Sequence, residues 1–566
     1  MHTDLPNRAA DARRLILQFR NPESETGNTR ASSCRLPSIQ WTPLAAFALA
    51  LLATSLHGGV ELYVTDYLAP QEKAIKPLGN KATSLARLFA APGEYEPVSF
   101  ALRPDERVEQ VFLAATDLTG GGGTLSKASV RVQSVEGFHG GDKDVLMDLG
   151  APWDMPAYQR ELFWATVHVP ATAKPGLYTG KVIVTGSGQP LTRLMLELEV
   201  LPFTLDDPPF ALGFNYSSPK NPQSLAAHLA DMRAHGMTTV APLYNFDLPI
   251  HDDNTREFGE FIEAYRRAGF TQPLYFGTSM DLMMSALAGY GPVDSRRFQQ
   301  KFLKVMRLLH AEARRHDVPV LFSIADELTN KARTGVRQGE ILARLCYEEL
   351  PEMAVTSDMN GWLEVTTMAP WLNVATFNNG WDGIDHHNAG RRLINREFIE
   401  ELQRTSGAIP WFVNAGGGRF PFGFFFWKMA KYGVRGKVEW YYNLGQNERG
   451  SVVRLEGDHI WPTLAYERSR EGIDDLKYLM KLERLLAAAR QSGKAQAEAQ
   501  RAQALLQQIA ADILDNWTAY TDGGQTFPSD GFDLMAPEKS AGLSHYQSLR
   551  RAVAEAIVQL QAAVAK

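Results

Sequence analysis

The sequence predicts a multidomain fold: an N-terminal antiparallel β-sandwich, followed by a (β/α)8 TIM barrel and a C-terminal helical extension. Three observations carry that prediction. The chain has 566 residues, more than one ordinary hydrophobic core organises. Between Val60 and Asp207 apolar residues alternate with polar ones in short runs set off by Gly, Pro and Asp, the pattern of antiparallel strands. After Pro208-Pro209 strand-like runs alternate with long amphipathic segments, the pattern of parallel β/α units. The expected divisions are a leader or anchor over 1–59, the sandwich over 60–207, the barrel over 208–490 and the helical extension over 491–566.

The first segment is polar and rich in Arg up to residue 41, then runs into the apolar stretch PLAAFALALLATSL. That stretch is too short to span a bilayer as a helix but suits the apolar region of a secretory signal, with Ala53-Thr54-Ser55 as small residues for cleavage. Export to the periplasm, cell surface or medium is therefore expected, with membrane attachment only if the leader is retained as an anchor. The two cysteines agree with this: Cys34 precedes the cleavage point, and Cys346, in the helical pattern EILARLCYEEL, reads as a small core residue.

The sandwich strands are expected in VELYVTDYL, YEPVSFALRP, QVFLAATDL, ASVRVQSVEGF, ELFWATVHVP, KVIVTG and RLMLELEVLPF, with Gly120 to Gly123 as a turn. The barrel units follow in order. FALGFNYSS precedes a helix over 221–235, MTTVAPLYN one over 253–268, QPLYFGTS one over 294–316 and PVLFSIADE one over 334–349. MAVTSDMNG leads to a short helix over 364–370, LNVATFNNG to 391–405, IPWFVNAGG to 421–432 and GKVEWYY to 464–486. Beyond residue 494 two apolar-striped segments predict packed helices with no catalytic pattern.

A net charge of −6 with no Lys/Arg block excludes a nucleic-acid footprint. A neutral or mildly polar partner is expected. In a (β/α)8 barrel the active site lies where the strands end, at the βα loops. Here those ends carry amides, carboxylates and aromatic rings: Asn215, Tyr216, Tyr244, Asn245, Asp326, Glu327, Asp358, Asn360, Asn378, Asn414, Trp440 and Tyr442, with Trp381 in the loop after the sixth strand. Such a mixture suits a sugar, whose hydroxyls take hydrogen bonds and whose C–H faces stack on rings. A glycan or glycoconjugate is the expected partner.

The centre of this rim is Asp326-Glu327, in SIADELTN at the end of the fourth strand. Glycoside cleavage needs a proton donor for the leaving oxygen and a group that stabilises positive charge at the anomeric carbon. Neighbours in an unbroken strand point to opposite faces, so both acids reach one pocket only where the strand ends. Adjacent acids fit substrate assistance better than a nucleophile and an acid on opposite sides of the sugar: the substrate's own 2-acetamido carbonyl attacks, Asp326 orients the acetamido nitrogen, and Glu327 is the acid and then the base. Burial and the neighbouring charge are expected to raise the pKa of Glu327.

Four phrases resemble glycoside hydrolase family 123: VHVPATAKPGLYTGKVIV at 167–184, LPFTLDDPP at 201–209, the pair in LFSIADEL, and ERSREGIDDLKYLMKL at 467–482. The resemblance covers about residues 60 to 485. It implies a sandwich and a catalytic barrel, a retaining β-N-acetylhexosaminidase acting on N-acetylgalactosamine, Asp326 as acetamido stabiliser and Glu327 as general acid/base, with no cofactor. Leu328 stands where a Pro commonly follows the pair.

Two other functional readings stay open. Asp358 or Glu439 could partner Glu327 in a glycosidase of other specificity, or the barrel could bind glycans without turnover. His386-His387 beside Asp382 and Asp385 lacks metal-ligand spacing, so no metal is expected. NAGGGRFPFG at 414–423 reads as a tight bend over the pocket, and Arg468 and Arg470 as partners of Glu471, Asp474 or Asp475 along one helix.

Overall fold

The computed structural model describes residues 59–565 apart from 69–76, 79–81, 139–140, 244–246, 278–285, 329–331, 381–391, 445–450, 458 and 521–535. In chain order the first strands are β1 (Val60–Val64), β2 (Leu85–Ala90), β3 (Tyr95–Pro104), β4 (Val108–Ala115), β5 (Leu118–Gly120) and β6 (Gly123–Leu125). They continue with β7 (Val130–Phe138), β8 (Gly141–Asp148), β9 (Trp153–Met155), β10 (Glu161–His168), β11 (Gly176–Gly186) and β12 (Gln189–Val200). One sheet orders β1-β3-β10-β7-β8, and the other has the path β2-β12-β11-β4-β9 with the β5–β6 hairpin beside β11. Alternate residues of both sheets, among them Val98, Phe100, Leu102, Val182, Leu196 and Leu198, share one apolar core. The pairing is antiparallel except at β2, which runs parallel to β12 from Leu85↔Met195 to Ala90↔Val200. That strand, LARLFA, carries too short an alternation to stand out in the sequence.

The barrel strands are β13 (Ala211–Ser217), β14 (Ala241–Leu243), β15 (Leu274–Phe276), β16 (Val320–Asp326), β17 (Ala354–Met359), β18 (Val374–Phe377), β19 (Ile409–Val413) and β20 (Gly436–Asn443). They form one parallel sheet that runs from β14 through β13 and β20 round to β15. The ring is nearly closed: β14 and β15 do not ladder, but Tyr275 N–H donates to the Val240 carbonyl at 3.2 Å. All eight match the expected strands in order, and their helices match within a few residues, as at Arg296–Arg315 and Arg396–Ser406. A hairpin of β21 (Val453–Glu456) and β22 (His459–Pro462) precedes the long helix Leu464–Ser492 and has no counterpart in the sequence reading.

The alternation of side chains stacks the barrel interior in layers. The lowest is apolar: Ala211, Ala241, Tyr275, Leu321, Ala354, Val374, Trp411 and Val438. Residues that alternate with these, such as Leu212, Phe214, Phe322, Val355, Phe377 and Phe412, face outward into the larger core beneath the helices. Trp411 thus plugs the floor, 5.9 Å from the Tyr275 ring and stacked on it, and is not a rim aromatic. Two residues up, Ser323, Thr356 and Thr376 form a polar layer, with Thr356 and Thr376 hydroxyls 2.8 Å apart.

The phrase ERSREGIDDLKYLMKL opens the helix Leu464–Ser492 and joins the domains. Its acids reach much further than helical spacing suggests. Asp475 takes Arg419 Nε at 2.7 Å and Arg550 Nε at 2.5 Å, one from the barrel and one from the C-terminal helix. Arg550 also meets Glu96 of the sandwich at 3.2 Å, and Tyr478 donates to Glu94 at 2.8 Å. Arg468 donates to the Tyr67 carbonyl, and Arg470 pairs with Glu467. Arg470 thus stays with its own helix, paired with Glu467 and under the influence of Glu471 and Asp474, whereas Arg468 bonds across to the Tyr67 carbonyl, all of these groups being buried where three elements meet. Gly472 permits that meeting: a Cβ there would lie 2.3 Å from the Arg419 carbonyl oxygen. The 414–423 segment is the other half of this joint, since Arg419 is buried in it.

Candidate active site

Strand β16 runs Leu321 inward, Phe322 outward, Ser323 inward and Ile324 outward, as simple alternation requires. Ala325 also faces the outer core, so the parity changes. The register gives the reason: Ser323 pairs with Thr356 but Asp326 pairs with Asp358, one extra residue on β16. This bulge returns Asp326 to the interior face. The Ala325 carbonyl on the bulge accepts from Ser323 Oγ at 3.1 Å and Ser357 Oγ at 3.0 Å.

Glu327 then leaves the strand with φ +42°, a left-handed conformation that non-glycine residues rarely adopt. Hydrogen bonds on both sides hold it there. Glu327 N–H donates to the Asp358 carbonyl at 2.8 Å, and Leu328 N–H donates to Glu364 Oε1 at 2.8 Å. The other oxygen of Glu364 accepts from Asn360 N–H at 3.2 Å. Glu364, fully buried in the first turn of the helix Trp362–Met368, so ties together the loops that follow β16 and β17. An acid there is also favoured by the helix dipole. Asp326 and Glu327 themselves are partly exposed.

Asp358 lies beside Asp326 on the neighbouring strand, on the same interior face. The buried Tyr275 reaches up from β15 and donates its phenolic hydrogen to Asp358 Oδ1. Burial holds the Asp358 carboxyl well above the usual range, and the Asp326 charge pushes it further in that direction. The Tyr275 bond opposes the shift, while Glu327 and Glu364 add to it.

The other expected site residues divide by strand parity. Asn215 and Asn378 fall on the interior face above the polar layer, both almost fully buried, and Asn378 Oδ1 accepts from Gly380 N–H at 3.0 Å. Trp440 shares the interior face with Val438 and is partly exposed. Asn360 is fully buried next to Glu364. Asn414, at φ +50°, accepts from Trp440 N–H at 3.0 Å and so fixes the backbone that carries that ring.

Tyr216 and Tyr442 belong elsewhere. Tyr216 neighbours the inward Asn215 and points out into the helix layer, where it meets His228 Nδ1 at 3.0 Å; Tyr442, beyond the register shift between β13 and β20, packs in that same layer and donates to Asp231 Oδ2 at 3.0 Å. Glu439 is outward too, fully buried and 2.5 Å from Lys437, with Ala415 N–H donating to it at 2.8 Å. It is not within the barrel and cannot serve as a second acid there. Tyr244, Asn245 and Trp381, and the His386-His387 segment, lie outside the described residues. Among the described residues no cluster of His, Cys, Asp and Glu is arranged to hold a metal. The sequence reading missed Tyr275, whose hydroxyl is hidden in the apolar run LYF, and Glu364, whose acid on a helix start reads as dipole compensation.

No protein-family profile matches the sequence. No curated protein matches it either. Among solved structures, the chain is similar to a family 123 glycoside hydrolase from Clostridium perfringens, described for glycolipid glycan hydrolysis. The TM-score is 0.59 at 11% identity, over 89% of this chain and 99% of that one. A family 39 glycoside hydrolase from Bacteroides cellulosilyticus matches with a TM-score of 0.36 at 10% identity, over 69% of this chain and 82% of that one. The first likeness shows a shared fold over most of the chain.

Proposed function

We propose that this protein is a glycoside hydrolase: a retaining β-N-acetylhexosaminidase that cleaves terminal or internal N-acetylgalactosaminides by substrate assistance. The observation that carries the proposal is the β16 bulge, which turns Asp326 into the barrel at the strand's C-terminal end and sets Glu327 beside it. The fold shared with the Clostridium perfringens enzyme and the four resembling phrases support the same reading, with membership of family 123 as part of this proposal. A glycan of a glycoconjugate is the substrate class.

In this mechanism Glu327 gives its proton to the leaving oxygen as the C1–O bond breaks. The 2-acetamido carbonyl oxygen bonds to C1, and Asp326 accepts the acetamido N–H and stabilises the oxazolinium charge. Glu327, now ionised, takes a proton from water, whose oxygen opens the ring at C1 with net retention. Direct displacement has less support, since Asp358 lies directly beside Asp326 on the same face, with its carboxyl pushed well above the usual range by burial, and Glu439 is outside the barrel.

The test is Glu327→Gln. It should abolish release of a poor leaving group, a loss of about 10²–10⁴-fold typical of a general acid, and partly spare activated aryl glycosides. Unchanged rates with both substrates would refute the role. Tight glycan binding by calorimetry with no turnover over a broad glycoside panel would instead make the barrel a binding scaffold. We further propose that the protein is exported and that residues 1–59 are its leader or anchor; N-terminal sequencing of protein from the cell envelope and medium tests this.

A further inference from the structure

The end of the barrel opposite Asp326 carries a cavity that the proposed mechanism does not use. Its volume is about 780 Å³, and it lies where β16 to β19 begin, beside the Asp207-Pro208-Pro209-Phe210 linker from the sandwich. That linker closes LPFTLDDPP, a phrase with no part in the chemistry above. The N-terminal face of such a barrel ordinarily serves stability, yet this volume falls within the roughly 300–1,000 Å³ of small-molecule sites. The cavity is also separate from the candidate active site. Leu321 lines it and Asp326 ends the same strand, roughly 15 Å further on at the rise of a strand. The stacked Trp411 and Tyr275 rings stand in the barrel between them.

The wall and the charges of this cavity point to one kind of occupant. Leu321, Ala354, Val374, Ile409 and Trp411 make an apolar inner wall against the lowest layer of the barrel. Asp207, Lys431, Arg435 and Glu483 supply the charge among the described residues that line it. Asp207 is already bonded to Arg233 at 2.6 Å, and Lys431 to Glu483. Arg435, exposed at the mouth, pairs with no carboxylate among the described residues. Its Nη1 donates to the Ala430 and Val434 carbonyls at 2.9 and 2.8 Å, and its guanidinium lies 5.9 Å from the centre of the Phe210 ring. Those contacts fix the group and leave Nε and Nη2, the edge that takes a carboxylate in a two-pronged bond. The lining therefore has an uncompensated positive charge next to an apolar interior.

We propose that this cavity is a second ligand site, which takes a small carboxylate with an aromatic or short acyl body. The body lies against Trp411, Leu321 and Val374, and Arg435 holds the carboxylate in the mouth. Burial of the body supplies the affinity, and the guanidinium selects the anion. A neutral relative of the ligand gives up the charge-assisted bond, and a cationic one meets Arg435 and Lys431 with like charge. Neither Asp326 nor Glu327 takes part, so the site does not depend on the glycosidase reading.

The test is calorimetric titration of the full chain with 4-phenylbutyrate, its uncharged amide 4-phenylbutanamide and the cationic 4-phenylbutylamine. Saturable one-site binding of the carboxylate is expected, with the amide weaker by about tenfold or more and the amine weaker still. Arg435→Gln, a change at an exposed side chain, should bring the carboxylate down to the affinity of the amide and leave the amide unchanged. Met480→Trp, which fills the cavity from the helix Leu464–Ser492, should remove binding of both, in protein that still unfolds cooperatively on heating.

Three results overturn the proposal: no saturable binding of 4-phenylbutyrate, an amine that binds as tightly as the carboxylate, or an unchanged carboxylate affinity in Arg435→Gln. Binding that survives in folded Met480→Trp places the probe elsewhere and overturns it as well. Because no glycoside enters the titration, a chain inactive on every sugar refutes the hydrolase reading alone.

Discussion

At the scale of single residues, the site divides into what one side chain announces and what only its neighbours reveal. Asp326-Glu327 was legible because adjacent acids at a strand end are chemically pointed. Tyr216 and Tyr442 were read as pocket residues because the sequence cannot fix strand parity when both faces of a sheet are buried. Asn215 and Tyr216 are neighbours, yet one faces the chamber and the other His228. This yields a contrast that activity and melting can check. Tyr442→Phe should leave kcat/KM within about twofold while removing a bond to Asp231 worth about 1 kcal/mol of stability. Trp440→Ala, which removes the ring on the interior face, should lower kcat/KM markedly with little change in Tm. Cys346 gives a second check. Burial pushes its thiol up to about 12, so in a chain with Cys34 replaced it should resist thiol reagents until the protein unfolds.

At the scale of elements, periodicity and turn residues made the eight barrel strands and their helices visible, and their limits shifted by only a few residues. What stayed hidden was the one-residue bulge in β16, since no Gly or Pro marks it. The bulge matters more to the site than any boundary does, because it decides that Asp326 faces in. Glu364 was illegible for a related reason: its two acceptor contacts, Leu328 N–H and Asn360 N–H, belong to different loops. Glu364→Ala should cost about 1–3 kcal/mol for each backbone donor left unpaired, and should lower activity as well, because it frees the backbone on either side of the pair. Gly472 gives a purely structural comparison. Gly472→Ala sets a Cβ 2.3 Å from the Arg419 carbonyl, and should lower Tm through about 1–3 kcal/mol of overpacking.

At the scale of the whole molecule, the phrase that best supported the resemblance, REGIDDLKYL, turns out to hold domains together. Its residues meet Glu94 of the sandwich through Tyr478, the Tyr67 hydroxyl through Glu471, and the C-terminal helix through Arg550, which in turn meets Glu96. A sequence shows charges at helical spacing; it does not show that three elements bury them together. This joint predicts a pH dependence. Burial, with Asp474 nearby, raises the Glu94 carboxyl to about 8. Between its unfolded value near 4.5 and 8, the folded protein then binds the extra proton. Its contribution to stability is complete below that window and is lost as pH rises through about 8. Denaturant midpoints should fall from pH 5 to pH 8.5, and Glu94→Gln, which keeps the Ala91 and Tyr478 contacts in a neutral form, should flatten that decline.

The central claim is that Asp326 and Glu327 work on a sugar that supplies its own nucleophile. The most direct measurement compares hydrolysis of an aryl 2-acetamido-2-deoxy-β-galactoside with that of its 2-hydroxy counterpart under the same conditions. The account predicts turnover of the first, inhibited by an oxazoline-mimicking thiazoline, and no turnover of the second. Comparable turnover of both, or a sugar trapped covalently on the protein, would contradict it.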